Sequence, residues 1–229
     1  DKQSRDIISF FFSLEKNKTV KEKKIALNFS DMLSTDKDLK IVFILFYSAI
    51  IYHVAKLLQA KGISLPRHIT FSGMGSKSIS ILSSGNRTLE SFTKIIFEKV
   101  FQTSYLEDGL TIHQEIEFPK EVTCKGALLA DKMDVDQETI KEVLIGTKEP
   151  KLVKGTKIKY LDVDNDQSIK KDVLEEVKEF FKLIFEIDSN EFSFSKKFDA
   201  NPADIDRYKE LVKKDLEDKL NDGLKEKEK

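Results

Sequence analysis

An apolar run of eighteen residues constrains the fold of this chain more than any other feature of its sequence. It extends from Ile41 to Leu58 and reads IVFILFYSAIIYHVAKLL. A membrane-spanning helix needs about 20 predominantly apolar residues, whereas this run contains Ser48, His53 and Lys56. Helices that are apolar on nearly all sides also occur in the interior of soluble proteins. We therefore predict a buried core helix that starts at Thr35 or Asp36, runs to about Ala60 and is closed by Gly62.

The bulk composition narrows the classes of function open to the chain. With 229 residues, it can form one large domain or two small ones. Lysine and arginine total 39 against 40 aspartate and glutamate residues, and this balance argues against nucleic-acid binding, which requires a basic surface. A charged fraction of 34% predicts a well-solvated surface, no membrane attachment and a cytoplasmic location. The single cysteine, Cys124, excludes an intramolecular disulfide and suits a reducing compartment.

Few side chains indicate a catalytic or metal site. The three histidines, His53, His68 and His113, are scattered along the sequence, and no Ser/His/Asp arrangement or zinc-type cluster can be recognised. We expect His53, inside the apolar helix, to be a core histidine with a satisfied hydrogen bond. Asp162–Ile169 is similar to the start of a calcium loop, but Gln167 occupies the position that requires glycine. A solvated acidic turn before a helix is the favoured interpretation, so we predict no catalytic residue and no metal site.

A strand that ends in glycines and leads into a helix is the most informative short motif. His68–Phe71 is β-branched and aromatic and predicts a strand. Glycines in the turn at 72–76 let a backbone approach a ligand closely, and the free N–H groups of a helix N-terminus favour phosphate groups. We expect Ser76 to cap a short helix over Ile79–Leu82. By itself the pattern also fits a plain tight turn, and Ser78 stands where the dinucleotide fingerprint requires a third glycine.

The segment after this turn predicts a helix and then a second strand. Thr88 is expected to cap the helix, whose mainly apolar stripe recurs at helical spacing and consists of Leu89, Phe92, Ile95, Ile96, Lys99 and Val100. A period-two alternation predicts the strand, through Leu110, Ile112, Gln114, Ile116 and Phe118. Pro119 ends that strand, and a short helix is expected over Val122–Ala130.

Together these elements resemble the nucleotide-binding domain of the superfamily that contains actin, the sugar kinases and the heat-shock-chaperone ATPases. The stretch Ile69–Lys77 is similar to the adenosine motif of that family, and Pro119–Ala127 is similar to its closing segment. The resemblance covers roughly residues 37–130. It implies an α/β fold in which this region is a partial actin-like, ribonuclease H-like subdomain.

The resemblance also implies ATP as the cofactor, with Mg²⁺ held in the parent protein. Gly73 and Gly75 would lie against the adenosine, and Ser76 would offer it a hydroxyl or N–H group. Lys77 occupies the place where some chaperones have an arginine that stacks on adenine, and Met74 departs from the usual glycine pair. The expected cofactor-binding residues are Ser72, Gly73, Met74, Gly75, Ser76 and Lys77.

The family holds its phosphates and metal with two Asp-x-Gly hairpins, and no Asp-x-Gly triplet occurs in this sequence. We therefore expect a piece of an actin-like ATPase that contributes the adenosine side of the site and does not hydrolyse ATP alone. A first residue of Asp1 agrees with such a piece, whose partners would be the remainder of the parent chain and an unidentified protein. The alternative is a noncatalytic protein–protein interaction module in which the glycine turn binds no nucleotide.

Two further parts are expected outside the resembling region. Residues 1–36 would be the remnant of a preceding subdomain, and residues 131–229 would be an appended α+β region that ends in a long helix. The predicted elements of that region are strands at Val143–Ile145 and Lys157–Val163, an amphipathic helix at Asp172–Ile187, and a last helix at Ala203–Leu220 opened by Pro202.

Overall fold

Helices dominate the structure. The computed structural model describes Leu14, residues 17–23, Leu27 and Glu121, together with residues 29–82, 86–106, 109–114, 151–153, 156–158 and 167–225. The helices are α1 (Lys18–Glu22), α2 (Phe29–Ser34), α3 (Lys37–Ala60), a 3-10 helix (Met74–Ile81), α4 (Asn86–Phe101), α5 (Gln167–Asn190), α6 (Phe194–Lys197) and α7 (Pro202–Lys225). The strands are β1 (His68–Phe71), β2 (Thr111–Gln114), β3 (Lys151–Val153) and β4 (Thr156–Ile158). Helices that pack against one face of a two-stranded parallel sheet are compatible with the predicted α/β class.

Helix α3 has the two ends that the sequence predicts. At its start, a carboxylate oxygen of Asp36 accepts hydrogen bonds from two amides of the first turn, at 3.0 and 3.3 Å. At its end, Gly62 has a φ of 69°. The amides of Gly62 and Ile63 donate to the carbonyls of Gln59 and Leu58, and this pair of bonds closes the last turn.

Only one face of α3 is buried. That face carries Lys40, Ile41, Ile44, Tyr47, Ser48, Ile51, Tyr52, Ala55 and Leu58, so the predicted core helix is confirmed along this face. The opposite face exposes apolar side chains, with Val42 and Ile50 each 41% and Phe46 60% exposed. His53 is also exposed, and the prediction of a core histidine is therefore wrong, because position 53 falls on the outward side of the helix. By length and composition alone α3 could cross a membrane, a test that core helices of soluble proteins also pass.

Strands β1 and β2 form the parallel sheet, and α4 connects them along the chain. His68 lies opposite Thr111, and Phe71 lies opposite Gln114. The predicted strand at His68–Phe71 is confirmed, and β2 confirms the strand predicted from Leu110 to Phe118 over Thr111–Gln114, with Leu110 just before it. Side chains alternate between the two faces of the sheet along each strand. The face toward the helices carries Ile69, Phe71, Ile112 and Gln114. The outward face carries His68, Thr70, Thr111 and His113.

Two helix starts differ from prediction. Ser76 does not cap the helix after the glycine turn, because the 3-10 helix already begins at Met74 and Gly73 occupies its N-cap position. Helix α4 begins at Asn86 rather than after Thr88. The helix already contains Asn86 and Arg87, so Thr88 lies in its first turn and not at its N-cap.

Aromatic side chains from distant parts of the chain meet in one core. Phe92 of α4 is fully buried, and its ring centroid lies 5.1 Å from that of Phe192, 5.5 Å from Phe194 and 5.3 Å from Phe198. Buried residues of α5, among them Ile184, belong to the same core. The packing unites side chains from residues 37–130 and 131–229, and the domain boundaries drawn from the sequence stay predictions.

The C-terminal elements follow the sequence in part. Helix α7 begins at Pro202 as predicted and continues to Lys225. Helix α5 begins at Gln167, earlier than the predicted Asp172, so the end of the calcium-like stretch is helical. Strand β4 contains Lys157 and Ile158 of the predicted strand Lys157–Val163, whose remaining residues lie outside the described ones. The partner of β4, strand β3, was not predicted. The predicted strand at Val143–Ile145 and, except for Glu121, the closing segment 119–127 lie outside the described residues.

Candidate functional site

The glycine turn lies at the carboxyl end of β1. After Phe71, Ser72 is exposed and Gly73 adopts φ 87° and ψ 165°. This backbone region is essentially restricted to glycine. A β-carbon added to Gly73 would meet no atom of the described residues within 4 Å. The space beside the backbone is therefore open, as a ligand that lies flat against a glycine requires.

The first turn of the 3-10 helix organises the rest of the predicted site. Both the amide and the hydroxyl of Ser76 donate to the carbonyl of Gly73, at 3.1 and 2.7 Å. Because the Ser76 hydroxyl already donates its proton within the turn, it can only accept a hydrogen bond from a ligand. Met74, Gly75 and Lys77 also belong to this helix. The structure describes their backbone placement, and their side chains lie outside what it describes.

Gln114 joins this site, although the sequence did not single it out. It is the last residue of β2 and lies opposite Phe71, so the two carboxyl ends of the parallel strands are side by side. The side chain is half-buried, and its Nε2 atom has no hydrogen-bond partner among the described residues. Buried polar atoms are nearly always hydrogen-bonded. The sequence contains a sign of this residue, because Gln114 is a polar side chain at a position where the alternation of β2 otherwise places apolar ones.

A buried lysine holds the far end of the 3-10 helix. The ammonium of Lys40 in α3 donates to the carbonyl of Ile81, at 2.7 Å. Burial lowers the pKa of Lys40, and the nearby charge of Asp199 partly offsets this effect. A cation at the C-terminal end of a helix is favourable. This contact fixes the 3-10 helix on α3 and thereby positions the turn that precedes it.

Four surface grooves among the described residues are lined by residues other than those of the glycine turn. One groove of about 410 Å³ lies between α3 and α5 and is lined by Tyr52, His53, Lys56, Val177 and Phe180, among others. Across it, Lys56 is paired with Glu176 and Glu179, at 3.4 and 3.6 Å. Within the described residues, no group of three or more histidine, cysteine, aspartate or glutamate side chains is arranged to hold a metal ion.

No protein-family model, curated protein or solved structure matches the chain. Function must therefore be inferred from its own residues and geometry.

Proposed function

We propose that the chain contributes the adenosine side of an ATP-binding cleft, as a ribonuclease H-like subdomain of an actin-like ATPase. The observation that supports this most directly is Gly73, held at φ 87° at the carboxyl end of a parallel strand. In open α/β sheets, ligands bind in the crevice outside the carboxyl ends of the strands. The turn, the amides of the 3-10 helix and Gln114 all lie at that edge.

These groups suit a nucleoside better than a phosphate. The open side of Gly73 accepts a flat ring. The Nε2 atom of Gln114, at the same strand ends, is buried and has no partner among the described residues, so its side chain would have to turn outward to donate a hydrogen bond to a base or sugar. The carboxylates and Asp-x-Gly hairpins that would hold phosphates and Mg²⁺ belong to other parts of the proposed parent protein. We therefore expect binding of adenosine and ATP without hydrolysis by this chain alone.

Adenosine is expected to bind weakly to the isotope-labelled chain and to perturb a localised set of NMR amide signals. The perturbed signals should be those of residues 72–78 and the side-chain amide of Gln114. Gly73→Ala should weaken this binding at least tenfold, because the added β-carbon occupies the face on which the ring lies. Guanosine serves as the comparison ligand, and shifts are followed by titration.

Gly62→Ala is the matched control. Gly62 also has a positive φ, 69°, and its added β-carbon would likewise meet no atom within 4 Å. Both variants therefore place an alanine at a positive φ, but Gly62 lies at the end of α3, away from the turn. If Gly73→Ala binds adenosine as well as Gly62→Ala does, or if millimolar adenosine shifts no signal near the turn, the proposal is wrong.

A second function, the protein–protein interaction module, is favoured by the exposed apolar face of α3. Val42, Phe46 and Ile50 follow one another at a spacing of one helical turn and are 41–60% exposed. Contiguous apolar surface of this kind marks binding sites in soluble proteins.

Phe46→Ala tests whether this face is open in solution. An exposed side chain contributes little to folding, so the free energy of unfolding should change by no more than about 0.5 kcal/mol. Chemical denaturation of both proteins measures the difference. A loss of about 2 kcal/mol or more would mean that another part of the same chain covers Phe46, and the interaction module would then lose its support.

A further inference from the structure

Two histidines that are far apart in the sequence meet on the outward face of the parallel sheet. His68 is the first residue of β1, and His113 is the third residue of β2. The register places His68 opposite Thr111 and Thr70 opposite His113, so the histidines are diagonal neighbours on one face. Nδ1 of His68 lies 3.3 Å from Nε2 of His113, and both side chains are exposed.

We propose that this pair binds one divalent transition-metal ion of the zinc, copper or nickel class. Imidazole nitrogen is a preferred ligand of these ions. Two nitrogens about 2.1 Å from a metal at the tetrahedral angle are about 3.4 Å apart. The observed separation of 3.3 Å is therefore close to that of two adjacent ligands of a single ion. The two nitrogens face each other in the hydrogen bond, so both rings turn about their side-chain bonds until their lone pairs converge on the ion. Water completes the coordination, since both side chains face solvent.

In the metal-free protein, one imidazole donates its N–H to the other. Metal binding requires both facing nitrogens to be unprotonated, because each must supply a lone pair. The donating ring changes tautomer, and its proton moves to the other ring nitrogen. Exposure of both residues lets that nitrogen bond water. No net proton is released when two neutral rings bind the ion in this way.

The residues around the histidine pair determine which metal ions we expect it to bind. The other outward side chains of the sheet are Thr70 and Thr111, which are short and leave the pair accessible. Among the described residues no third histidine, cysteine or carboxylate joins the cluster. Magnesium and calcium prefer sets of oxygen ligands, so they should not bind here. The pair lies on the outward face of the sheet, whereas the proposed nucleotide turn lies at its carboxyl edge, and the two proposals are independent.

Zinc chloride titrated into the chain by calorimetry, at a pH where free histidine is neutral, should show one bound ion per chain. Copper(II) should give an electron paramagnetic resonance spectrum with nitrogen ligands. His68→Gln and His113→Gln should each weaken zinc binding at least tenfold, by analogy with the losses caused by disturbing metal ligation. Circular dichroism shows that the variants are folded, which we expect because both side chains are exposed.

His53→Gln and Cys124→Ser are the controls. His53 is the third histidine of the chain and is exposed on α3, and Cys124 is its single thiol. Both controls should bind zinc as the unchanged chain does, and magnesium chloride should give no binding to any of the proteins. Zinc binding that survives in the folded double variant His68→Gln/His113→Gln, or that is lost in either control, would overturn the proposal. Absence of zinc and copper binding to the unchanged chain would overturn it as well.

Discussion

Replacing Phe92 with alanine is expected to lower the free energy of unfolding by about 3–5 kcal/mol. Phe92 is fully buried and is the ring around which Phe192, Phe194 and Phe198 pack, in both stacked and edge-to-face arrangements. Removing it leaves a cavity and breaks the aromatic contacts that join α4 to residues 192–198. Urea unfolding followed by circular dichroism measures the change, provided that the slope of the transition stays the same.

The exposed phenylalanine of α3 supplies the matched control for this prediction. Phe46→Ala removes the same atoms from a side chain that is 60% exposed and should have little effect. Phe92→Ala and Phe194→Ala should also be non-additive, since the two rings are in contact. Equal costs for Phe92→Ala and Phe46→Ala, or strict additivity of Phe92→Ala and Phe194→Ala, would show that the aromatic core is not packed in this way.

Thr93→Val is expected to destabilise the chain by about 1–3 kcal/mol, although the two side chains have almost the same shape. The hydroxyls of Thr93 and Tyr47 lie 2.6 Å apart and are both buried, in the interface between α4 and α3. Burial raises the pKa of Tyr47 above its usual range, and the hydrogen bond to Thr93 partly offsets this effect. Valine would leave the Tyr47 hydroxyl without a partner in an apolar environment.

A double-mutant cycle separates the hydrogen bond from simple packing. Tyr47→Phe combined with Thr93→Val removes both hydroxyls, so no polar group is left unsatisfied. The double variant should therefore be more stable than the sum of the two single effects predicts, with a coupling of about 0.5–3 kcal/mol. Additive effects of the two changes would contradict a hydrogen bond between these side chains.

Several elements could be predicted because their causes are local. The ends of α3 follow from the carboxylate of Asp36 and the positive φ of Gly62, and each is decided within one helical turn. Strand β1 follows from the β-branched and aromatic run at His68–Phe71. The glycine turn can be predicted for a similar reason, since Gly73 adopts a conformation that other residues avoid.

The candidate sites were harder to predict because they depend on strand pairing. Gln114 lies at the same sheet edge as the glycine turn only because β2 is parallel to β1 with Gln114 opposite Phe71. His68 and His113 are forty-five positions apart along the chain, and the same register brings their nitrogens within 3.3 Å. Pairing register depends on the burial of whole strand faces and not on the residues at one position.

The sequence by itself determined where α3, β1 and α7 begin, and it determined that a glycine turn follows β1, because capping, proline position and backbone conformation act over a few residues. Only the tertiary structure decided which face of α3 is buried, that Phe92 packs against residues 192–198, and that Gln114 and the two histidines stand beside partners from another strand. Each of these depends on which apolar surfaces, distant in the sequence, bury one another away from water, and this is determined by the packing of the whole chain.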